Sequence, residues 1–470
     1  MILKICSSGD GGAIITWYDD RNSLTSTDIY AQKLDSNGIL QWDLEGIAIC
    51  TEDGYQLDPI ICSDEYEGAI IVWRDHRGNG GEIYAQRINS NGETLWSPNG
   101  VYICPEGFQY GELKICSDGT GGAIIAWGNK SNGIDWDIFA QRVDSSGILQ
   151  WTLEGVDICV RIEDQVSPQI CSDGSGGAII AWQDEINGSD YIYNIFSQRI
   201  NFNGEIQWRN NGIKTCEAPG SQGGLKICSD GTGGAIMAWL DRRGWYLSMD
   251  LYGDLYAQRV NSQGEIQWTR DGIIICAPDT YDPFYHEMCS DGEEGAYIVW
   301  QEDIYNTLEN ISLQRVDLNG DLQWSLEGLS ICDANDDQMY PKICSDEDGG
   351  VFITWMDYRN ELDEDIYAQW VDSDGIVQWV DDGKLLCTTS EDQMFPMICS
   401  DGIGGAFITW VDYRNFNIYE EDIYAYHIET SLENGDNRCI IIIIIIIIII
   451  IIIVIIFITL LGLFIRRKKT

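Results

Sequence analysis

KICSDGTGGAIIAW at Lys114–Trp127, followed by WDIFAQRVDSSGILQW at Trp136–Trp151 and LEGVDIC at Leu153–Cys159, decides the fold. The same string returns along nearly all of the 470 residues. Its first tryptophan stands at Trp17, Trp73, Trp127, Trp182, Trp239, Trp300, Trp355 and Trp410. These eight copies follow at nearly even steps, the shortest from Trp73 to Trp127 and the longest from Trp239 to Trp300. A near-constant period of this kind marks a repeat architecture, because no single copy can bury its apolar face without neighbours.

Each copy divides into four β-like pieces separated by turn residues. PQICSDG comes first and closes on Asp-Gly and Gly-Gly. GGAIIAW is a continuous apolar run, as expected of a strand buried on both faces. DIYAQRV alternates as a pleat requires. The Asp-Ser-Asn-Gly or Asp-Ser-Ser-Gly that follows is a hairpin signal leading into GILQW. Four antiparallel strands per copy, with no helical period, describe the blades of an eight-bladed β-propeller.

Spacing locates the part that varies. From the repeat Cys to the first Trp is 11 residues in all eight copies. The distance from the Tyr of DIYAQ (Phe139, Phe196 and Ser312 in three copies) to the second Trp is the same in all seven copies that have it. The distance from that Trp to the next Cys is also constant, except for one extra position between Trp268 and Cys289. The gap between second and third strands is what changes, shortest from Trp73 to Tyr84 and longest from Trp239 to Tyr256. Those loops share a face with the blade-to-blade linkers, and that face is the expected functional surface.

PQICSDGSGGAIIAWQD at Pro168–Asp184, with DIYAQ at Asp28–Gln32, resembles the TolB-type, WD40-like propeller repeat, whose blades read P-x-x-SPDG-x-x-IAF-x-S-x-R and then DIY. CSDG for SPDG and the longer GILQW…GVDIC tail depart from it. Closer still are long bacterial and archaeal surface proteins built from SDGxGGAIxxWxDxR…DIYAQR copies. The resemblance spans Ile2 to about Ile428 and implies the propeller fold. It implies no particular activity, since propellers host many.

Lys+Arg total 28 against 75 Asp+Glu, a formal charge of -47. Such a surface repels phosphate backbones, which argues against nucleic acid as a partner. Residues 1–430 read as a propeller ectodomain, 431–439 as a linker, 440–465 as a transmembrane helix and 466–470 as a basic cytoplasmic tail. No charge occurs from Ile440 to Ile465. As a helix this run would be ~39 Å long, enough to cross a ~30 Å hydrocarbon core. The RRKK that follows predicts a cytoplasmic C-terminus and repeats displayed outside the cell. MILKICSSGD is no signal peptide and starts inside a repeat, so an upstream segment is expected. That segment would also supply the outermost strand of an incomplete eighth blade and a partner for Cys6, unless Cys439 reaches it.

Seven cysteine pairs bracket the blade linkers: Cys50/Cys62, Cys104/Cys116, Cys159/Cys171, Cys216/Cys228, Cys276/Cys289, Cys332/Cys344 and Cys387/Cys399. Their spacing is constant but for one extra position in Cys276/Cys289. In an oxidising compartment such pairs are expected to form disulfides. Buried thiols are the alternative. Metal binding is disfavoured, because no C-x-x-C or histidine partner accompanies them.

The W-x-D-x-R motif (Asp19/Arg21, Asp75/Arg77, Asp357/Arg359, Asp412/Arg414) follows the repeat, so it reads as structural pairing rather than catalysis. No catalytic constellation can be assembled, and no cofactor is implied. Acidic clusters (Glu361, Asp363, Glu364, Asp365; Glu420, Glu421, Asp422) have the oxygen chemistry of Ca²⁺ ligands, but without a D-x-D-x-D-G loop they read as a solvated face. The longest variable loop, Leu240–Asp254, carries Arg242, Arg243, Trp245, Tyr246, Met249 and Tyr252. With Trp136, Phe416 and Tyr419, its arginines and aromatics form the expected binding set. Asn129, Asn187 and Asn310 head N-x-S sequons, consistent with surface positions. These features predict recognition or adhesion towards a surface protein or glycan. A polysaccharide-cleaving or sialidase-like enzyme and a structural envelope component are the alternatives.

Overall fold

The computed structural model describes residues 3–440, apart from 22–25, 79–80, 105–109, 131–132, 187, 189–191, 244–252, 277–281, 305–307, 415–420 and 431–438. Each of the eight copies forms a four-stranded antiparallel sheet with its strands in chain order. In the first blade these are β1 (Leu3–Ser7), β2 (Ala13–Asp19), β3 (Asp28–Leu34) and β4 (Ile47–Cys50). The first strand of every blade touches the first strands of both neighbours, and β1 meets Gln393–Ser400 of blade 8. The ring is therefore closed, an eight-bladed propeller around a central channel.

The apolar second strands form the core between blades. Ile70 and Val72 of blade 2 pack on Ala123, Ile125 and Trp127 of blade 3, all fully buried. The closing interface is built alike, with Ala13, Ile15 and Trp17 against Phe407, Ile423 and Ala425.

Two polar latches, one at each end of the blade, fix the repeat. At the variable-loop end, Trp73 Nε1 donates to Asp75 Oδ2 at 2.8 Å, and Arg77 Nε donates to Asp75 Oδ1 at 2.8 Å. The Arg77 guanidinium then lies 3.8 Å from the centroid of Tyr84, which stacks on Trp73. W-x-D-x-R and DIY are thus one connected cluster. Where blade 3 has Asn129 and blade 6 has Glu302 at the Asp position, Trp127 Nε1 and Trp300 Nε1 have no acceptor among the described residues. At the other end, the Asp of CSDG caps its own turn and accepts from the third strand. The donor is Arg87 to Asp64, Arg142 to Asp118, Arg199 to Asp173, Arg259 to Asp230 or Arg315 to Asp291. Trp370 and His427 take the arginine's place in blades 7 and 8.

The structure corrects several expectations. GILQW is not the fourth strand. It makes one isolated bridge to the third strand, Leu34 to Leu40 in blade 1, and IAIC at Ile47–Cys50 is the outer strand. Its tryptophan instead plugs the next blade, Trp42 Nε1 donating to the Ser90 carbonyl at 3.1 Å. Against the expectation of a missing strand, the fourth place in blade 8 is filled by Cys439–Ile440, pairing with Asp422–Glu429. Asn129 is buried in a second strand, so it is no surface sequon. Asn187 lies outside the described residues. No helix among the described residues is long and apolar enough to cross a membrane, and 441–470 lie outside them.

None of the seven cysteine pairs (Cys50/Cys62, Cys104/Cys116, Cys159/Cys171, Cys216/Cys228, Cys276/Cys289, Cys332/Cys344, Cys387/Cys399) is bridged. The reason is geometric. Cys50 Sγ lies 3.7 Å from Asp75 Oδ2, at the end of the second strand of blade 2, whereas Cys62 pairs with Ile70 at its start. The strand from Ile70 to Asp75 separates the two levels by about 17 Å, while a disulfide needs Cα atoms ~4.4–6.8 Å apart. The thiols instead join two structural sets. Cys50 packs into the Asp75/Arg77 latch, where burial pushes its pKa up to about 12. Cys6, Cys62, Cys116, Cys171, Cys228, Cys289, Cys344 and Cys399 form one level of the inner wall, each paired with a residue near the start of the neighbouring strand.

Candidate functional site

Every described inner strand from blade 2 to blade 8 carries a bulge at the variable-loop end. In blade 2 the register shifts between Leu57 and Ile60, leaving Asp58 with φ of 52°. The residue four before the Cys takes this left-handed place in each of these blades except the third: Asp58, Ser167, Gly224, Tyr285, Tyr340 and Phe395, with φ from 40° to 66°. Asp and Gly suit such a backbone, whereas a bulky side chain there is strained. The scaffold repeats, but the residue it carries does not.

In blades 6, 7 and 8 that residue is aromatic. Tyr285 and Tyr340 have ring centroids 4.7 Å apart, and Tyr340 and Phe395 6.4 Å apart. Tyr285 is 57% exposed and Phe395 46%, so the three rings form an open arc at the channel mouth. The preceding blade pins two of the bulges. Tyr340 N donates to Gln301 Oε1 at 3.0 Å and Phe395 N to Met356 Sδ at 3.4 Å.

Carboxyl groups flank the arc. Glu309 precedes the third-strand core of blade 6 and faces Asp337 of the next linker, and Glu364 and Asp392 repeat the pair one blade on. Burial first, then the Asp337 charge, pushes Glu309 up to about 7, and burial with the Asp392 hydrogen bond does the same for Glu364. Asp137 and Asp365 rise to about 6, mainly through burial. Such groups stabilise the fold when protonated, an effect complete below the unfolded pKa and lost as pH rises through the folded one. The melting temperature is therefore expected to rise on acidification from about pH 8 to about pH 5. It should fall again below about pH 4, as Asp75, Asp401 and Glu287, all held low by cationic or hydrogen-bonding partners, become protonated. Glu364→Gln should flatten the upper limb. A melting temperature flat from pH 8 to 5 in the parent protein would contradict the assignment.

The residues expected from sequence fare differently. Arg243 is committed to the blade latch: Nε donates to Asp241 at 2.9 Å, and the guanidinium lies over Tyr256 at 3.7 Å. It belongs to the repeat, with 24% of its side chain still exposed. Arg242 is exposed beside it. Trp136 is half-buried, its ring over the backbone of Gly111 and Gly128, where an added Cβ would lie 3.6 Å away. Trp245, Tyr246, Tyr252, Phe416 and Tyr419 lie outside the described residues. No group of three or more acidic, Cys or His side chains placed to hold a metal occurs among the described residues. Sequence reasoning missed the aromatic arc, because attention to loop length passes over one variable position inside a strand of constant length.

No family model and no curated protein matches the chain. Among solved structures it is similar to a PL25 ulvan lyase, with 10% identity over 77% of this chain and 90% of the other, and a TM-score of 0.47. The β-propeller domain of the trilobed protease of Pyrococcus furiosus is 11% identical over 80% and 96%, with a TM-score of 0.45. An α-L-arabinofuranosidase of Fusarium graminearum is 10% identical over 68% and 93%, with a TM-score of 0.38. Likeness at this level concerns the fold alone.

Proposed function

We propose that this propeller is a recognition module, displayed outside the cell on its apolar C-terminal segment, that takes a saccharide at the channel mouth. The observation that carries this reading is the arc of Tyr285, Tyr340 and Phe395 on left-handed backbone. Strain at a bulky residue persists only where something else requires it, and exposed rings recover little of it through burial. Flat, rigid aromatic faces suit the apolar faces of sugar rings, and the adjoining carboxylates suit their hydroxyl groups. The arc follows the rim of a channel, unlike the broad patch of ~800 Å² per partner that a stable protein complex needs.

Glycan-array capture by the full-length protein tests the proposal. Tyr285→Gly and Phe395→Gly should each weaken capture by about 1–2 kcal/mol. Each should leave the melting temperature unchanged or raise it, because glycine relieves the left-handed backbone. Unchanged capture with a lower melting temperature would make the rings packing residues. Capture of proteins but no glycans would assign the mouth to a protein ligand.

Glu309 and Glu364 favour a second reading. A carboxyl titrating near 7 keeps a proton at neutral pH, as a general acid in glycoside cleavage must. New reducing ends released from a captured glycan, and lost in Glu309→Gln or Glu364→Gln, would make the protein an enzyme.

A further inference from the structure

Directly below the aromatic arc, two residues before each repeat Cys, the inner strands carry Lys4, Ile60, Lys114, Gln169, Lys226, Glu287, Lys342 and Met397. Lysine stands on blades 1, 3, 5 and 7, every second blade of the ring. The chain has only eight lysines before its basic tail, and four of them occupy this one level. In a protein of net charge -47 this is a concentrated island of the opposite sign. Lys226 Nζ and Lys342 Nζ converge on Glu287 Oε1 at 2.9 and 2.5 Å. Lys114 reaches Glu112, in the level above, at 3.5 Å. Lys4 makes no ion pair or side-chain hydrogen bond among the described residues. The side chains of Lys114, Lys226 and Lys342 keep 33%, 31% and 29% of their exposure, so the level opens to the channel.

We infer that this lysine level is an anion-binding site, and that the ligand of the mouth is an acidic saccharide whose carboxylate or sulfate reaches down to it. The saccharide half rests on the reading above; the anion site stands on the lysines alone. Four lysines against Glu287 leave a charge of +3 at this level, or +2 when Glu112 is included. Glu287 already acts as a built-in anion for two of the lysines, which leaves Lys4 and Lys114 as the poles nearest to vacancy. Burial, and then the charges of Lys342 and Lys114, push the Lys4 ammonium down to about 8, against a smaller opposing pull from Glu287. Lys342 follows Tyr340 by two residues across the bulge, so their backbones lie no more than roughly 7 Å apart. A ring stacked on the arc therefore places an acidic substituent within reach of the ammonium groups.

Inorganic sulfate titrated calorimetrically into the full-length protein tests the anion site. Saturable binding is expected, weakened about tenfold by Lys4→Met or Lys114→Met and strengthened several-fold by Glu287→Gln, which removes the internal competitor. A gain of affinity cannot arise from misfolding, so this variant keeps the test decisive if the lysine variants unfold. No saturable binding, or equal binding by all variants, would overturn the site. The second arm compares oligogalacturonate with its methyl ester. Preference for the charged form by about tenfold or more supports the whole inference. Equal capture of both overturns the acidic ligand while leaving the saccharide reading standing. Sulfate binding with capture of neither upholds the anion site and overturns the saccharide reading.

Discussion

Trp73→Ala is expected to cost about 3–5 kcal/mol of stability, among the largest losses any single truncation here can produce. The indole is fully buried between blades and stacks on Tyr84 with centroids 6.3 Å apart. Its loss opens a cavity and also dismantles a polar cluster. Asp75 would lose the indole N–H it accepts at 2.8 Å, while Arg77 stays bound to that carboxylate and to the Asn99 carbonyl at 2.9 Å. Gly100, at φ of 92°, packs so closely on the ring that an added Cβ would lie 2.6 Å from it, so the wall cannot relax inward without rebuilding a turn. Phenylalanine separates the two contributions. Trp73→Phe removes volume and a hydrogen bond, whereas Trp300→Phe removes volume alone, since Trp300 Nε1 has no acceptor among the described residues. The first should cost about 1 kcal/mol more than the second, measured as a difference in denaturation midpoints. Equal costs would show that the indole–Asp bond contributes nothing net.

The contrast between what the sequence makes legible and what it hides follows from the same symmetry. Strands, turns and blade number are written eight times over, so each copy corrects accidents in the others. Cys–Trp spacing of 11 residues without exception leaves little freedom for the first two strands. The fourth strand is hard to place because GILQW carries an alternating pattern and a tryptophan, both strand signals, yet its tryptophan serves the next blade. VDIC and IAIC, four residues each, carry a weaker strand signal. The cysteines mislead for a related reason. The separation of Cys50 from Cys62 looks short along the chain, but much of it is fully extended strand, which carries the thiols to opposite ends of a blade. The site is hidden at one position, four before the Cys, where only three of eight copies are aromatic. Its signal is a side chain that varies while its backbone repeats, and the backbone's left-handed bend is not visible in residues such as Tyr340 that seldom adopt it.

Asp118→Ala should be nearly as damaging as the tryptophan loss, at about 3–5 kcal/mol, through charge rather than volume. Asp118 Oδ1 accepts from Thr120 N at 2.8 Å and Gly122 N at 2.9 Å, and so holds the turn between the first two strands of blade 3. Its Oδ2 accepts from Arg142 Nε at 2.8 Å, and the two side chains are 0% and 3% exposed. Truncation strands a buried guanidinium and the buried Gly122 amide at once, and also removes the acceptor of Thr120 N. Arg142→Met removes the cation and leaves Asp118 on its turn amides, so it should cost distinctly less. The molecule already contains that tolerance. Trp370 occupies the arginine position in blade 7 and donates to Asp346 Oδ2 at 2.9 Å, and blade 1 has Ser8 for the aspartate while Lys33 turns to Asp10 at 2.8 Å. Each departure replaces both partners of the latch or finds a new one; none leaves an arginine alone. The guanidinium of Arg142 also lies 3.4 Å from the Phe202 ring centroid of blade 4, a contact both substitutions disturb. If Arg142→Met costs as much as Asp118→Ala in chemical denaturation, that inter-blade contact carries the energy, and the stranded charge does not.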